Sequence, residues 1–259
     1  MIRLIASDID GTILRNGAQA LPPRMVPLLQ RLIKKGVLFV AASGRQYANL
    51  QRLMGAAAPD VDYICENGAF VVHKGEIIYK AVMDRALGQE LMADILSVPD
   101  CEVQLSGINT AYIKPKRPAF TEHLKYVLKN NITEVTDLFS TPEEYIKISA
   151  YVHGEKTEEY MEEFRKRWGS HFTLASTCAH WIDFIPPGIH KGYAMEALME
   201  TLAISKKETM AFGDNYNDLE LLACAEESYA VSTAKPEVIA ACRHTCEYVE
   251  DVLETLLLP

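Results

Sequence analysis

Apolar positions fall into short buried-strand runs near both ends of the chain and into mixed helical and alternating patterns in its middle. "IRLIAS" (2–7), "VLFVAAS" (37–43) and "YICEN" (63–67) are brief apolar runs suited to strands covered on both faces. Between them, "PRMVPLLQRLIKK" (23–35) has helical spacing, an early proline and Gly36 placed to end the helix, and a second helix follows "GRQ". Strand, helix, strand, helix, strand predicts a parallel sheet with helical crossovers. "AFVVHKGEIIYK" (69–80) reads as two β runs turned at Lys74-Gly75.

The rhythm changes from about 84 to 185. Helical patterns near 84–97, 119–130 and 155–168 interleave with the strand candidates "EVQLS", "TAYIK", "IKISAYVH", "FTLAST" and "WIDFI". That mixture predicts a separate α+β domain with a largely antiparallel sheet. After "PPGIHKG" (186–192) the first rhythm returns, with a helix at about 191–203, a strand "TMAFGD" (209–214), a helix at 215–225, a strand "SYAVS" and two closing helical segments. The expected fold class is α/β: a Rossmann-like parallel-sheet core, 1–83 with 187–259, carrying an inserted α+β domain at 84–186. The sequence shows no internal repeat and no low-complexity tract.

Composition narrows the partners. The 259 residues are 49% hydrophobic, yet no stretch approaches the ~20 apolar residues of a membrane span. A net charge of −9 disfavours binding to a nucleic-acid backbone, while leaving room for a local site that takes a small anion. Cys65, Cys101, Cys178, Cys224, Cys242 and Cys246 are scattered without a C-x-x-C pair, which fits reduced thiols. "MIRLIASD" lacks the parts of an export signal. The expectation is a cytoplasmic protein with neither nucleic-acid nor membrane partners; its oligomeric state is left open.

In an open parallel sheet, ligands bind beyond the carboxyl ends of the strands. Polar residues stand at those ends: Asp8 and Asp10 after the first strand, Ser43 after the second, Glu66 and Asn67 after the third, and Asp214, Asn215, Asn217 and Asp218 after "TMAFG". Lys191, opening a helix after a Pro-Pro-Gly turn, can reach the same place. Several carboxylates with one lysine need a cation to coexist, and hard oxygen donors without His or Cys suit magnesium. A carboxylate beside such an ion can attack a phosphoryl group, so Asp8 is read as nucleophile and Asp10, its side chain turned the other way, as acid and then base. Each piece has a plainer reading: "DIDGT" and "GDNYND" as Asx turns, "SGR" as a helix cap, Lys191 as a solvated helix-terminal lysine.

Their order is what singles them out. "DIDGT" (8–12), "SGR" (43–45), "KG" (191–192) and "GDNYND" (213–218) resemble the four motifs of the haloacid dehalogenase-like phosphatases, and the large insertion together with "ENGA" (66–69) resembles the Cof-like branch with its type IIB cap. The resemblance implies that Asp8 is the nucleophile, Asp10 the general acid/base, and Lys191 the cation offsetting Asp8 and phosphate. It implies phosphate contacts from Ser43, Gly44, Arg45 and Asn217, and Mg2+ held by Asp8, the main-chain carbonyl of Asp10, and Asp214, with Asp218 behind or beside it. The partner implied is a small phosphorylated metabolite such as a sugar phosphate or nucleotide. A phosphomannomutase-like mutase using the same aspartyl chemistry is the alternative, and a silent binding or regulatory module a third reading that the full set of carboxylates argues against.

Two stretches depart from the family pattern: "AVSTAKPEV" (230–238) where relatives carry Gly-Asn, and "CEYVEDVLETL" where they carry Asp-Gly. His190 reads as a cap or packing residue ahead of a substrate contact. "CRHTC" (242–246) lacks a fourth zinc ligand at suitable spacing. "IKPKRP" (113–118) reads as a solvated loop, with a specificity loop for an anionic leaving group as the lesser alternative. Motifs for a nucleotide P-loop, a zinc protease, an EF-hand or NAD binding are absent.

Overall fold

The computed structural model describes residues 1–176 and 180–258, so Cys178 and the last residue of "FTLAST" lie outside the described residues. The chain divides into two units. One comprises Met1–Arg45, Leu50–Tyr79 and His190–Pro259; the other comprises Gln46–Asn49 and Lys80–Ile189.

The chain begins with β1 (Leu4–Asp8), α1 (Met25–Lys34), β2 (Leu38–Ala42), α2 (Tyr47–Met54), β3 (Asp62–Cys65), β4 (Phe70–His73) and β5 (Glu76–Lys80), all in the first unit but for the first turn of α2 and the last residue of β5. Every residue of β1 is buried, as expected of a strand with a neighbour on each side and cover on both faces. Its register fixes the sheet: Leu4 lies opposite both Leu38 and Thr209. At the β4–β5 turn Lys74 and Gly75 both have positive φ, 50° and 82°, the backbone a two-residue hairpin needs.

In the second unit follow α3 (Arg85–Ser97), β6 (Cys101–Ser106), β7 (Ala111–Ile113), α4 (Pro118–Glu122), β8 (Ile132–Glu134), β9 (Lys147–Val152), α5 (Thr157–Trp168), β10 (Thr173–Ala175) and β11 (Trp181–Ile185). The sheet order is β10-β11-β9-β6-β7-β8, antiparallel except between β7 and β8. Asp84 caps α3, accepting from the Leu87 N–H at 2.8 Å. Alternation sends Val103, Leu105, Ile148, Ala150, Ile182 and Phe184 into one core with α3 and α5, while the other face carries Ser149, Asp183 and Lys147, whose ammonium meets Asp183 at 3.2 Å. The 113–118 run is the exposed loop it was read as, with Lys114, Lys116 and Arg117 at the surface, and it is also tied down. The Lys116 and Arg117 N–H groups donate to the buried Glu102 carboxylate at 2.8 and 3.0 Å, and Lys116 Nζ donates to the Leu96 and Val98 carbonyls that end α3. A buried carboxylate and open helix carbonyls both need donors, and this run supplies them.

The chain returns to the first unit with α6 (Lys191–Leu202), β12 (Thr209–Gly213), α7 (Leu219–Ala223), β13 (Glu227–Val231), α8 (Pro236–Ala241), β14 (His244–Cys246) and α9 (Val249–Thr255). Its sheet order is β14-β13-β12-β1-β2-β3-β4-β5, with β14 to β3 mutually parallel and β4 reversing direction. These six strands therefore point their carboxyl ends the same way, and four of them, β1, β2, β3 and β12, end in the polar residues singled out above. Beyond them lie Asp8, Ser43, Glu66 and Asp214. Among the described residues no helix is long and apolar enough to cross a membrane.

Candidate active site

Asp8 ends β1 and is buried, and Lys191, the first residue of α6, is buried completely. The Lys191 ammonium donates to Asp8 Oδ1 at 2.5 Å and to Asp218 Oδ1 at 2.7 Å. Asp218 Oδ2 accepts from the Asp214 and Asn215 N–H groups at 3.0 and 3.1 Å, which folds the loop after β12 into a tight turn. Asp214 Oδ1 accepts from the Thr12 hydroxyl at 2.9 Å. Gly11 has φ +94°, and a Cβ there would strike the Asp214 carboxylate, so the Asp-Gly-Thr turn can only approach that carboxylate with glycine at this position.

Asp8, Asp214 and Asp218 each present a carboxylate oxygen, all within 4.8 Å of one another. Asp8 Oδ2 is buried and accepts from no donor. Burial, then the charge of Asp218, push the Asp8 carboxyl well above the usual range, against the pull of Lys191. Asp214 moves the same way for the same two reasons, opposed by the Thr12 hydrogen bond. Burial works against the Lys191 charge, but Asp218 and Asp8 outweigh it and hold its pKa up. The cluster carries more negative charge than its one lysine can balance.

Asp10 stands apart from this cluster, 43% exposed at its side chain. Arg45 grips it with two parallel bonds, Nε to Oδ2 at 2.7 Å and Nη2 to Oδ1 at 2.6 Å. Ser43, at the end of β2, is buried, and its hydroxyl accepts from the Arg45 N–H at 3.2 Å across Gly44. Asn217 Nδ2 donates to Asn67 Oδ1 at 3.3 Å. His190 caps α6, its Nδ1 accepting from the Tyr193 N–H at 3.1 Å, which is the capping role its position suggested. In "CRHTC", His244 Nε2 faces Glu227 at 2.8 Å.

Sequence reading brought no role to Thr12 or Asn67. Thr12 closes a motif whose carboxylates drew the attention, and Asn67 acquires its partner only when β3 and the loop after β12 come together. The structure brings Asp8, Lys191, Asp214 and Asp218 into one cluster and pairs Arg45 with Asp10 beside it.

Comparison with known proteins gives the family. Over residues 5–255 the sequence matches the family of haloacid dehalogenase-like hydrolases. It is 28% identical to the 5-amino-6-(5-phospho-D-ribitylamino)uracil phosphatase of Escherichia coli K12, over 99% of this chain and 96% of that protein. A crystal structure from Eubacterium rectale is 32% identical, with a TM-score of 0.85 over 98% of this chain and 99% of that one. The fold is shared with a subclass IIB sugar phosphatase at 21% identity, with a TM-score of 0.83 over 98% of each chain. The four motifs in order, the strand-end cluster they build and a family match over nearly the whole length together show that this chain belongs to the haloacid dehalogenase-like hydrolases.

Proposed function

We propose that the protein hydrolyses a small phosphate monoester through a phosphoaspartate on Asp8, with Mg2+ at the carboxylate cluster and sugar phosphates or nucleotide-like esters as the substrate class. The observation that carries this reading is the Lys191 ammonium set between Asp8 and Asp218, with Asp214 close by. The donor set suits magnesium: hard oxygens, surplus negative charge and one buried Asp8 oxygen without a donor. Bound there by Asp8 and Asp214, the ion would offset that charge and polarise the phosphoryl oxygens.

In this reading an Asp8 oxygen attacks phosphorus, the bond from phosphorus to the ester oxygen breaks, and the leaving oxygen takes a proton from Asp10. Asp10 then accepts a proton from water as the water oxygen attacks phosphorus and the bond to Asp8 breaks, releasing phosphate. Lys191 keeps Asp8 aligned and offsets its charge throughout. Ser43, Gly44 and Asn217 contribute donors to the phosphoryl oxygens. Arg45 holds Asp10 until the leaving oxygen competes for it. Residues 84–186 act as the cap that selects the leaving group. Sugar and ribityl phosphates lead the candidate list because the compared phosphatases are named for them.

The test uses purified protein and a panel of phosphorylated metabolites. Chelator should abolish phosphate release and magnesium restore it; full turnover in excess chelator rules out the metal assignment. A hexose 1-phosphate should yield inorganic phosphate, whereas the 6-phosphate isomer as product means a mutase. With an aryl phosphate, which needs little protonation to leave, rapid quench and mass spectrometry should find phosphate on the Asp8 peptide in Asp10→Asn and none in Asp8→Asn. A label on another residue overturns the nucleophile assignment.

A further inference from the structure

Four strands end the two sheets, and one differs from the rest. β8, β10 and β14 are three residues long, and β14 places His244 against Glu227, with Arg243 beside it paired to Glu226. β5 has five residues, Glu76-Ile77-Ile78-Tyr79-Lys80, and no strand pairs with its outer edge among the described residues. Ile77 is 45% exposed and Ile78 37%, and they point to opposite faces of the sheet. The Tyr79 ring lies 5.6 Å from that of Tyr193, which is itself 44% exposed. An open edge with apolar side chains on both faces is a template for another strand.

We propose that β5 is a self-association surface, where a second copy of this chain adds its own β5 antiparallel, edge to edge, about a two-fold axis through Ile78. The sequence selects both partner and register. A two-fold axis perpendicular to the sheet must pass through a residue, because opposed side chains have to share a face. Centred on Ile77 or on Tyr79, the pairing sets a charged residue opposite Ile78. Centred on Ile78, it sets Glu76 opposite the partner copy's Lys80 at both ends, Ile77 opposite Tyr79 twice, and Ile78 opposite itself. Opposite-charge and aromatic–β-branched pairs are the favourable cross-strand combinations. Lys80 also meets Glu144, and its ammonium has donors for both carboxylates. The inference is independent of the catalytic reading, since it uses no residue of the site.

Sedimentation equilibrium on the full chain tests it. The wild type should show a monomer–dimer equilibrium. Glu76→Lys and Lys80→Glu, each setting like charges opposite one another at two places, should each weaken association about tenfold. The double variant, which restores opposite charges in the same register, should recover the wild-type constant. Mild oxidation of Ile78→Cys should give a disulfide-linked dimer, because directly opposed Cβ atoms come within about 5 Å. All of these positions are on the surface, so melting temperatures should stay close to wild type. A chain that is monomeric at every concentration, or a dimer indifferent to the single charge reversals, overturns the proposal.

Discussion

Lys191 brings an ammonium to a place where burial opposes its charge, and two carboxylates keep it there. Lys191→Met keeps much of the side-chain volume but leaves Asp8 and Asp218 facing each other without a cation. Breaking a buried pair by removing one partner costs about 3–5 kcal/mol, so the variant should lose stability on that scale in urea denaturation. The deficit should be greater at pH 8 than at pH 5. Burial and the charge of Asp218 raise the Asp8 carboxyl, and without Lys191 nothing opposes them, so the folded state binds that proton more tightly than the unfolded one and stability falls as pH rises. An equal deficit at both pH values would mean that Lys191 acts through packing alone. The carboxylates of this cluster were legible because Asp8 and Asp214 follow short apolar runs suited to buried strands and parallel strands end together, whereas Lys191, after a Pro-Pro-Gly turn, stood out only by the order of the motifs. What was not legible is the direction of side chains. That Arg45 turns to Asp10, and that Thr12 turns to Asp214, depends on how neighbouring loops close, and spacing along the chain does not encode it.

At the scale of elements, the turn after β3 couples strand to helix. Glu66, Asn67 and Gly68 have φ of 50°, 59° and 101°, three left-handed residues in a row. The Glu66 and Asn67 N–H groups donate to the Arg45 and Ser43 carbonyls at 3.2 and 3.0 Å, which fastens this turn to the loop after β2. A Cβ at Gly68 would strike the His190 carbonyl just before Lys191. Gly68→Ala should therefore displace the start of α6 and lower turnover as well as stability. Gly75→Ala is its control: its φ of +82° is equally unsuited to alanine, but its Cβ would meet nothing within 4 Å. It should cost about 1–3 kcal/mol from backbone strain and leave turnover unchanged. If both variants lose stability alike and both keep turnover, the Gly68 contact does not position Lys191. The apolar strands and the long helices were readable from their pattern, whereas β8 (Ile-Thr-Glu) and β14 (His-Thr-Cys) were not, because both are short, exposed or half-buried and largely polar, while the equally short β7 and β10 sit in more apolar runs. The helix expected at 119–130 is α4 followed by a wider turn, with the Leu128 N–H reaching back to the His123 carbonyl at 3.0 Å. The helix expected at 215–225 starts as a tighter turn at Tyr216–Asp218, because Asp218 spends its carboxylate on the loop's N–H groups.

For the molecule as a whole, the central ladder of the first unit joins residues about two hundred positions apart, Leu4 with Thr209 and Ser7 with Phe212. Such non-local pairing is slow to form, and neither the Asp8–Lys191 pair nor the Thr12–Asp214 bond exists before it does. At the opening of the ladder, Glu208 ties the start of β1 to the turn before β12. Its carboxylate accepts from the Ser205 hydroxyl and N–H at 2.7 and 3.0 Å and from Arg3 Nη1 at 3.1 Å. The Ser205 bonds, ahead of Arg3, pull its pKa down from 4.5 to about 2. The Arg3 pair is half exposed and contributes little by itself, so the capping interaction dominates. Because the folded-state pKa is depressed, the stabilisation is complete above the unfolded value of 4.5 and is lost as pH falls toward 2. Glu208→Gln, which cannot ionise, should lower the urea midpoint at neutral pH and shrink the drop in midpoint between neutral and acid conditions. The comparison is made within one variant pair, so the other carboxylates titrate equally in both and cancel. A pH dependence identical to wild type would show that this junction adds nothing to the acid sensitivity of the fold.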